Sequence, residues 1–280
     1  YDKAIEHYLK AIRLKPNAVY YQNIADVYRE IKNFDEAIDY YNEAIALNPK
    51  YDKAYNSLGV TYDSQKEYDK AIEYYQQAIS INPGDFIYHA NMGDAYRGLQ
   101  KWDDAIQCYK KALEINSDDD ISYNGLGIAY SRKGKYHQAI QQYTKAASLY
   151  ANPNYYANIG DTYRLLSNFT EAVKYYEAAQ KSAVELDPAN TTFLKDIALT
   201  YNDIGVEFYS AGDHRQAIEA YKKSITIYPG DPVIQHNLYL AAEAIADYAE
   251  AEQSLRKAIE LDPQNEKYAR ELQELQAKIS

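Results

Sequence analysis

Seven asparagines recur along this 280-residue chain at intervals close to one repeat length, and alternate copies add an aspartate and an arginine three residues apart. A side-chain amide both donates and accepts hydrogen bonds, so a row of amides can hold a peptide backbone without reading its sequence. An Asp and an Arg at this spacing share one helix face and place charges at regular intervals. The candidate peptide-binding residues are Asn23, Asp26, Arg29, Asn56, Asn91, Asp94, Arg97, Asn124, Asn158, Asp161, Arg164, Asn202 and Asn237.

The same residues also admit a purely structural interpretation. Each Asp–Arg pair can satisfy itself within its helix, which stabilises a helix by about 0.2–0.5 kcal/mol. The segments with Asp-x2-Arg alternate with segments that read Asn-x-Leu/Ile-Gly, and duplication of a two-repeat unit would produce that alternation without any role in binding. Binding and ancestry therefore both remain open at this stage.

Helices must position these side chains, as residues 55–83 illustrate. Tyr55, Leu58, Gly59 and Tyr62 lie at offsets 0, 3, 4 and 7, which is one face of an α-helix. A second apolar stripe begins at Tyr68 and ends before Asn82-Pro83, where the proline ring cannot continue the helical hydrogen bonds. Neither helix can bury its stripe alone, so the pair must pack on itself and on its copies.

An alanine of the second helix recurs in phase along the chain. Its copies are separated by 33, 34, 34, 34, 33, 45 and 34 residues, at Ala4, Ala37, Ala71, Ala105, Ala139, Ala172, Ala217 and Ala251. With its aromatic-x2-Leu/Ile-Gly-x2-Tyr, Ala-x3-Tyr and Pro positions, the pattern resembles the tetratricopeptide repeat family. The resemblance implies an all-α fold, a right-handed superhelical solenoid of antiparallel helix pairs.

The repeat phase predicts one array over residues 1–265 with a half repeat at residues 1–17. Seven complete repeats are predicted at about 18–51, 52–85, 86–119, 120–153, 154–190, 191–231 and 232–265. Their first helices are predicted to begin near Tyr20, Lys53, Ile87, Ile121, Asn154, Thr192 and Pro232. Residues 181–197 lengthen one repeat, contain no glycine, and predict two longer helices with an accessory contact surface. Residues 266–280 are amphipathic and predict a helix that caps the last repeat.

In the tetratricopeptide family the first helices line the concave wall of the superhelix, and extended peptides commonly bind there. The asparagine row is similar to that of the O-linked N-acetylglucosamine transferases. The match is best at four asparagines that directly precede the Leu, Ile or Met of the motif, and the other three are shifted by one residue. The four are Asn23, Asn91, Asn158 and Asn237. The inner positions carry Lys53 as the lone base, which disfavours the family subtype that clamps a C-terminal carboxylate.

Composition narrows the possible partners. The formal net charge of −11 argues against a nucleic-acid partner, which would favour a basic stripe, and favours a neutral or basic polypeptide. No stretch approaches the roughly 18 apolar residues that a membrane span needs. The single cysteine, Cys108, rules out an internal disulfide and is expected to be buried or half-buried. The sequence opens within a repeat without a leader, so we expect a fragment of a longer protein and a cytoplasmic location.

Catalysis finds no support in the residues. The five histidines fall in different repeats without ligand spacing, there is no phosphate-binding loop, and no cofactor or metal is expected. Most of the 33 tyrosines fall on repeat packing positions. Five lie beside those positions and are expected to be partly exposed for partner contact, namely Tyr20, Tyr40, Tyr74, Tyr88 and Tyr155.

Three hypotheses follow for function. The first is a non-catalytic scaffold that binds an extended peptide or a partner helix in its concave groove. The second is the substrate-recruiting arm of a larger enzyme such as a glycosyltransferase. The third is self-assembly through the N-terminal half repeat, residues 1–17, whose first helix is missing from the sequence.

Overall fold

The computed structural model describes residues 1–279, and every regular element in that range is an α-helix. The chain divides into two compact units, residues 1–150 and residues 151 onward. The first unit consists of α1 (Asp2–Leu14), α2 (Ala18–Glu30), α3 (Phe34–Leu47), α4 (Asp52–Ser64), α5 (Tyr68–Ile81), α6 (Phe86–Gly98), α7 (Trp102–Ile115), α8 (Asp120–Arg132) and α9 (Tyr136–Leu149). The second consists of α10 (Pro153–Leu165), α11 (Phe169–Leu186), α12 (Leu194–Ser210), α13 (His214–Ile227), α14 (Pro232–Ala244), α15 (Tyr248–Leu261) and α16 (Glu266–Ile279).

The predicted helix pairs are all present. Each first helix packs on the second helix that follows it. Neighbouring first helices also touch, namely α2 and α4, α4 and α6, and α6 and α8 in the first unit, and α12 and α14 in the second. The predicted starts near Tyr20 and Thr192 are displaced by two residues, to Ala18 and Leu194. The earlier start of α2 follows from the Asn17 side chain, which accepts a hydrogen bond from the Val19 N–H and caps the helix.

The turn inside each of the seven complete repeats uses one left-handed residue. The amide after it donates to a carbonyl five residues back at 2.8–2.9 Å, as from Asn33 to Tyr28, and this closes the first helix. The left-handed residues are Lys32, Lys66, Gln100, Gly134, Ser167, Gly212 and Ala246. Only two of them are glycine, so five turns hold an L-residue where backbone sterics disfavour it.

A close approach between helices explains a recurrent glycine of the first helix. In five repeats the glycine lies against the ring of a buried tyrosine on the second helix, and a Cβ added at Gly59 would lie 2.4 Å from Cε1 of Tyr75. The last repeat exchanges the two sizes, because Tyr239 stands at the glycine position and Leu255 at the tyrosine position of the same core cluster. The core therefore sets a tyrosine against a glycine in five repeats and a tyrosine against a leucine in the last one.

The lengthened repeat forms two long helices, as the sequence predicts. Helix α11 has 18 residues and α12 has 17. Gln180 fastens the connection between them, since its Nε2 donates to the Asn190 carbonyl at 2.6 Å and its Oε1 accepts from the Phe193 N–H at 3.1 Å. Phe193 itself is 6% exposed. The segment is a packed element of the repeat.

The final helix packs its apolar stripe on the last pair. Tyr268 and Leu275 of α16 join the buried cluster of α14 and α15. His236 lies 2.8 Å from a carboxylate oxygen of Glu271 and stacks on the Tyr268 ring, which fixes α16 against α14.

Candidate functional site

The predicted asparagines are joined in pairs across neighbouring repeats. Asn91 Nδ2 on α6 donates to Asn56 Oδ1 on α4 at 2.9 Å, and Asn237 on α14 makes the same 2.9 Å bond to Asn202 on α12. All four side chains are half-buried. The one-residue shift between the two kinds of repeat does not separate the amides, because each bond joins one asparagine of each kind.

Three further asparagines of the row lie on other first helices of the two units. Asn23, Asn124 and Asn158 are half-buried on α2, α8 and α10. Asn23 makes no amide-to-amide hydrogen bond within residues 1–279. The structure therefore joins Asn56 with Asn91 and Asn202 with Asn237.

Each predicted aspartate has a tyrosine partner on the second helix of its own repeat. Tyr41 donates to Asp26 at 2.6 Å, and Tyr109 donates to Asp94 at 2.7 Å. Tyr176 donates to Asp161 in the same way. Sequence reasoning placed these tyrosines in the core and missed the bond. The signal was available, since each pair is 15 residues apart and the aspartate occurs only in the repeats that also carry the arginine.

The arginines close these groups in two different ways. Arg97 Nη2 is 2.9 Å from Asp94 Oδ1, and Arg29 Nε donates to the Tyr41 hydroxyl at 3.2 Å within the same group. Arg164 turns away from its own aspartate, as its Nε and Nη2 donate to Oδ2 of Asp203 at 3.0 and 2.7 Å. That ion pair links α10 to α12, so the third Asp-x2-Arg motif does not pair within its helix.

Burial and charge shift the titration of these groups. Burial, and then the negative charge of Asp94, raise the pKa of Tyr109 well above its ordinary value. Burial opposes the charge on Arg97, but Asp94 and Tyr109 outweigh it and raise the pKa of Arg97. Asp63 was not predicted as a site residue, yet it faces the same group: burial, and then the charge of Asp94, raise its pKa while Arg97 opposes the shift. We call the side of the first helices that carries the asparagines and these aspartates and arginines the first-helix face. It bears charges of both signs.

Two of the tyrosines expected to be partly exposed are buried, and that expectation was wrong. Tyr88 is 3% exposed and Tyr155 is 6% exposed. Tyr88 is buried because its hydroxyl donates to Asp52 Oδ2 at 2.9 Å, one repeat away. Tyr40 and Tyr74 stack on Tyr28 and Tyr62 at centroid distances of 5.4 and 5.3 Å, which leaves their edges at the surface.

Metal sites and membrane-spanning helices are absent from the described residues. Within residues 1–279 no group of three or more His, Cys, Asp or Glu side chains is placed to hold a metal ion. Over the same range no helix combines the length and the apolar character needed to cross a bilayer. Cys108 is buried, and burial followed by the charge of Asp104 raises the pKa of its thiol to about 12.

Comparison with known families agrees with the helix pairs and with the 34-residue period. Tetratricopeptide repeat models match residues 25–66, 52–85, 93–134, 121–153, 153–230 and 208–279. The chain is a tetratricopeptide repeat protein. Proteins of this kind interact with protein partners, and the first-helix face described above is where this tetratricopeptide protein differs from repeat to repeat.

Its sequence relatives are similar over a short segment. Heat shock protein STI1 of Saccharomyces cerevisiae is 44% identical over 61 residues, which is 21% of this chain and 10% of that protein. Small glutamine-rich tetratricopeptide repeat-containing protein 2 of Mycosarcoma maydis is 47% identical over 60 residues, 21% of this chain and 17% of that protein. The match therefore spans less than a fifth of the length of either relative.

Solved structures share the fold over longer stretches. The C-terminal part of a tetratricopeptide protein from Cytophaga hutchinsonii is 22% identical with a TM-score of 0.66, over 88% of this chain and 96% of that one. YrrB, described as a tetratricopeptide protein with an unusual peptide-binding site, is 20% identical with a TM-score of 0.54, over 68% of this chain and 97% of its own. MamA is 26% identical with a TM-score of 0.54, over 58% of this chain and 95% of its own.

Proposed function

We propose that this tetratricopeptide protein is a non-catalytic interaction scaffold, in which the first-helix face of each unit holds an extended peptide or a partner helix. The observation that carries the proposal is the repeated amide bond from Asn91 to Asn56 and from Asn237 to Asn202. An amide has two donors and an acceptor with two lone pairs, so one bond to a neighbour orients the group and leaves capacity for a ligand backbone.

The charged groups beside the amides define a second part of the proposed surface. Asp26 and Asp94 each accept from a buried tyrosine, which holds the carboxylate in place, and Arg97 neutralises only part of the negative charge around it because Asp63 faces the same group. The formal charge of the whole chain is −11. A neutral or basic peptide suits such a face better than an acidic one, since like charges at close range repel.

Peptide-array binding with matched asparagine variants tests the proposal. Asn56→Ala/Asn91→Ala removes one bonded pair, and Asn42→Ala removes an exposed asparagine of second helix α3. We expect the double variant to lose affinity by about thirtyfold, since each of the two amides contributes one hydrogen bond of about 1 kcal/mol to the peptide. We expect Asn42→Ala to bind as the unaltered chain does. Equal binding by all three proteins, with helicity intact, would show that the asparagines are structural.

Self-association through α1 is a second candidate that one observation favours. Helix α1 has no buried residue, and Leu14 and Tyr1 are 87% and 69% exposed. Helix α1 packs chiefly on α2, and exposed apolar side chains on such a helix are typical of a docking surface. Light scattering over a concentration series tests this candidate, and a strict monomer at every concentration would remove it. The alternative of a recruiting arm in a larger enzyme, such as a glycosyltransferase, and the cytoplasmic location both stay predictions.

A further inference from the structure

Two successive repeats of the second unit carry equivalent grooves between their second helices. One groove lies between α11 and α13 over Tyr201 and has a volume of about 460 Å³. The other lies between α13 and α15 over Gln235 and has a volume of about 670 Å³. The floor residues, Tyr201 and Gln235, both occupy the first aromatic position of the repeat motif. These grooves lie over the second helices, so they are separate from the first-helix face.

The lining of the two grooves corresponds residue by residue at an offset of 34. Lys222, Lys223 and Thr226 of the smaller groove become Arg256, Lys257 and Glu260 of the larger one. The floor changes from Tyr201 to Gln235. The last complete repeat thus lacks the ring that five other repeats place at this position, and the cavity is larger where the ring is absent.

The floor of the larger groove combines polar and apolar side chains. Gln235 is 6% exposed and lines the cavity. Ser254 is 2% exposed and lines the same cavity, as does Leu238. The amide can donate and accept hydrogen bonds, so it can bind a polar group that enters the cavity. The floor therefore presents hydrogen-bonding groups at the end of an apolar slot.

The smaller groove shows how a tyrosine ring is contacted at this position. Lys223 Nζ lies 5.5 Å from the centroid of the Tyr201 ring, within the range of a cation–π contact. Lys257 is the equivalent lysine of the larger groove, where its Nζ lies 2.7 Å from Oε2 of Glu260. A tyrosine ring in the larger groove would lie beside Lys257, and its hydroxyl would meet the amide of Gln235 at the floor. Tyrosine suits a site with an apolar wall and a polar end.

We propose that the groove over Gln235 binds a tyrosine side chain presented by a partner polypeptide, in the place that Tyr201 fills one repeat earlier. An ion pair between Lys222 and Glu250, 2.6 Å long, joins α13 to α15 at this groove and sets its width. The site is independent of the asparagine pairs, so the two surfaces can engage different segments of one partner.

Nuclear magnetic resonance titration of the full chain with N-acetyl-tyrosinamide tests the proposal. We expect saturable shifts at the Gln235 side-chain amide and at the Leu238 methyl groups, and weaker binding of N-acetyl-leucinamide. Gln235→Tyr fills the slot from within and should reduce affinity by about tenfold or more. Gln216→Tyr, an exposed position on α13, makes the same change away from the groove and should leave binding unaltered.

A second variant keeps the test decisive if Gln235→Tyr lowers the melting temperature. Lys257→Ala leaves the floor intact and removes the cation, and it should weaken binding of N-acetyl-tyrosinamide several-fold more than that of N-acetyl-leucinamide. The proposal is overturned if no saturable shift appears at Gln235 up to the solubility limit of the probe. It is equally overturned if folded Gln235→Tyr binds the probe as well as the unaltered chain does.

Discussion

The hydroxyl of Tyr109 donates a 2.7 Å hydrogen bond to Asp94, whereas the hydroxyl of Tyr75, at the same position one repeat earlier, is buried without a partner in the described chain. The difference arises on the facing helix, where Val60 occupies the place of the aspartate. These two neighbouring repeats therefore differ in whether the hydroxyl of the buried tyrosine is hydrogen-bonded.

Removing the two hydroxyls should have unequal effects on stability. Tyr109→Phe deletes a hydrogen bond to a charged acceptor, and we expect the free energy of unfolding to fall by about 1.5–3 kcal/mol. Tyr75→Phe deletes a buried hydroxyl that has no partner, and we expect no loss or a small gain. Urea denaturation followed by circular dichroism measures both. Equal losses would show that the Asp94 bond contributes nothing beyond the packing of the ring.

The link between Asp52 and the next repeat should make stability depend on pH. Burial opposes the charge of Asp52, but hydrogen bonds from Asn82 and Tyr88 outweigh it and lower the pKa of this carboxyl. A lowered pKa in the folded state contributes stability above the unfolded value of about 3.9, and that contribution is lost as the pH falls through the folded value.

Replacing Asp52 isolates that contribution. We expect Asp52→Asn to lower the melting temperature at pH 7 and to differ little from the unaltered chain at a pH below the folded value of the carboxyl. Asp69→Asn is the matched control, since the Asp69 side chain is 79% exposed. A deficit of the same size at both pH values would mean that the ionisation of Asp52 is not what joins the two repeats.

The left-handed turn residues allow a paired test of backbone strain. Ala246 has a φ of 61° and Gly134 has a φ of 71° at equivalent positions. Ala246→Gly should stabilise and Gly134→Ala should destabilise, each by about 1 kcal/mol, because an L-residue is disfavoured in this conformation. Denaturation midpoints measure both changes. Shifts of the same sign would mean that side-chain contacts at the turn affect stability more than the strain of its left-handed backbone does.

Close packing predicts a further contrast between glycines. Gly59→Val should destabilise by about 1–3 kcal/mol, because any Cβ there overlaps the ring of buried Tyr75. Gly230→Ala should change stability by no more than about 0.5 kcal/mol, since nothing lies within 4 Å of a Cβ at that position. The melting temperatures of the two variants give the comparison. A tolerated valine would show that the Tyr75 ring can move away.

Periodicity was sufficient to predict the helices, and it was less informative about their ends and their polar partners. An apolar stripe that recurs every 34 residues is buried when successive helix pairs stack on one another. The starts at Ala18 and Leu194 depend instead on a cap and on a loop held by Gln180, which are individual contacts. The burial of Tyr88 depends in the same way on one bond to the preceding repeat.

The candidate site was predictable as a face and not as a set of bonds. The spacing of Asn91 and Asn158 placed them on first helices, but the pairing of Asn91 with Asn56 requires knowing how adjacent helices are staggered. Arg164 shows the same limit. Helical spacing predicts an ion pair between Arg164 and Asp161, whereas in the structure Arg164 donates to Asp203. The groove over Gln235 arises from a residue that departs from the motif, and a search for matches to the motif passes over it.

The exchange of sizes between Tyr239 and Leu255 has a consequence for how such a chain can be recombined. A first helix bearing glycine, joined to a second helix bearing leucine, would leave a void, and the reverse chimera would set two aromatic rings against each other. Shuffling at the turn within a repeat should therefore yield misfolded hybrids. Shuffling at the proline-containing junctions between repeats keeps the first and second helix of each repeat together. The unit that can be exchanged without loss of packing is therefore the helix pair.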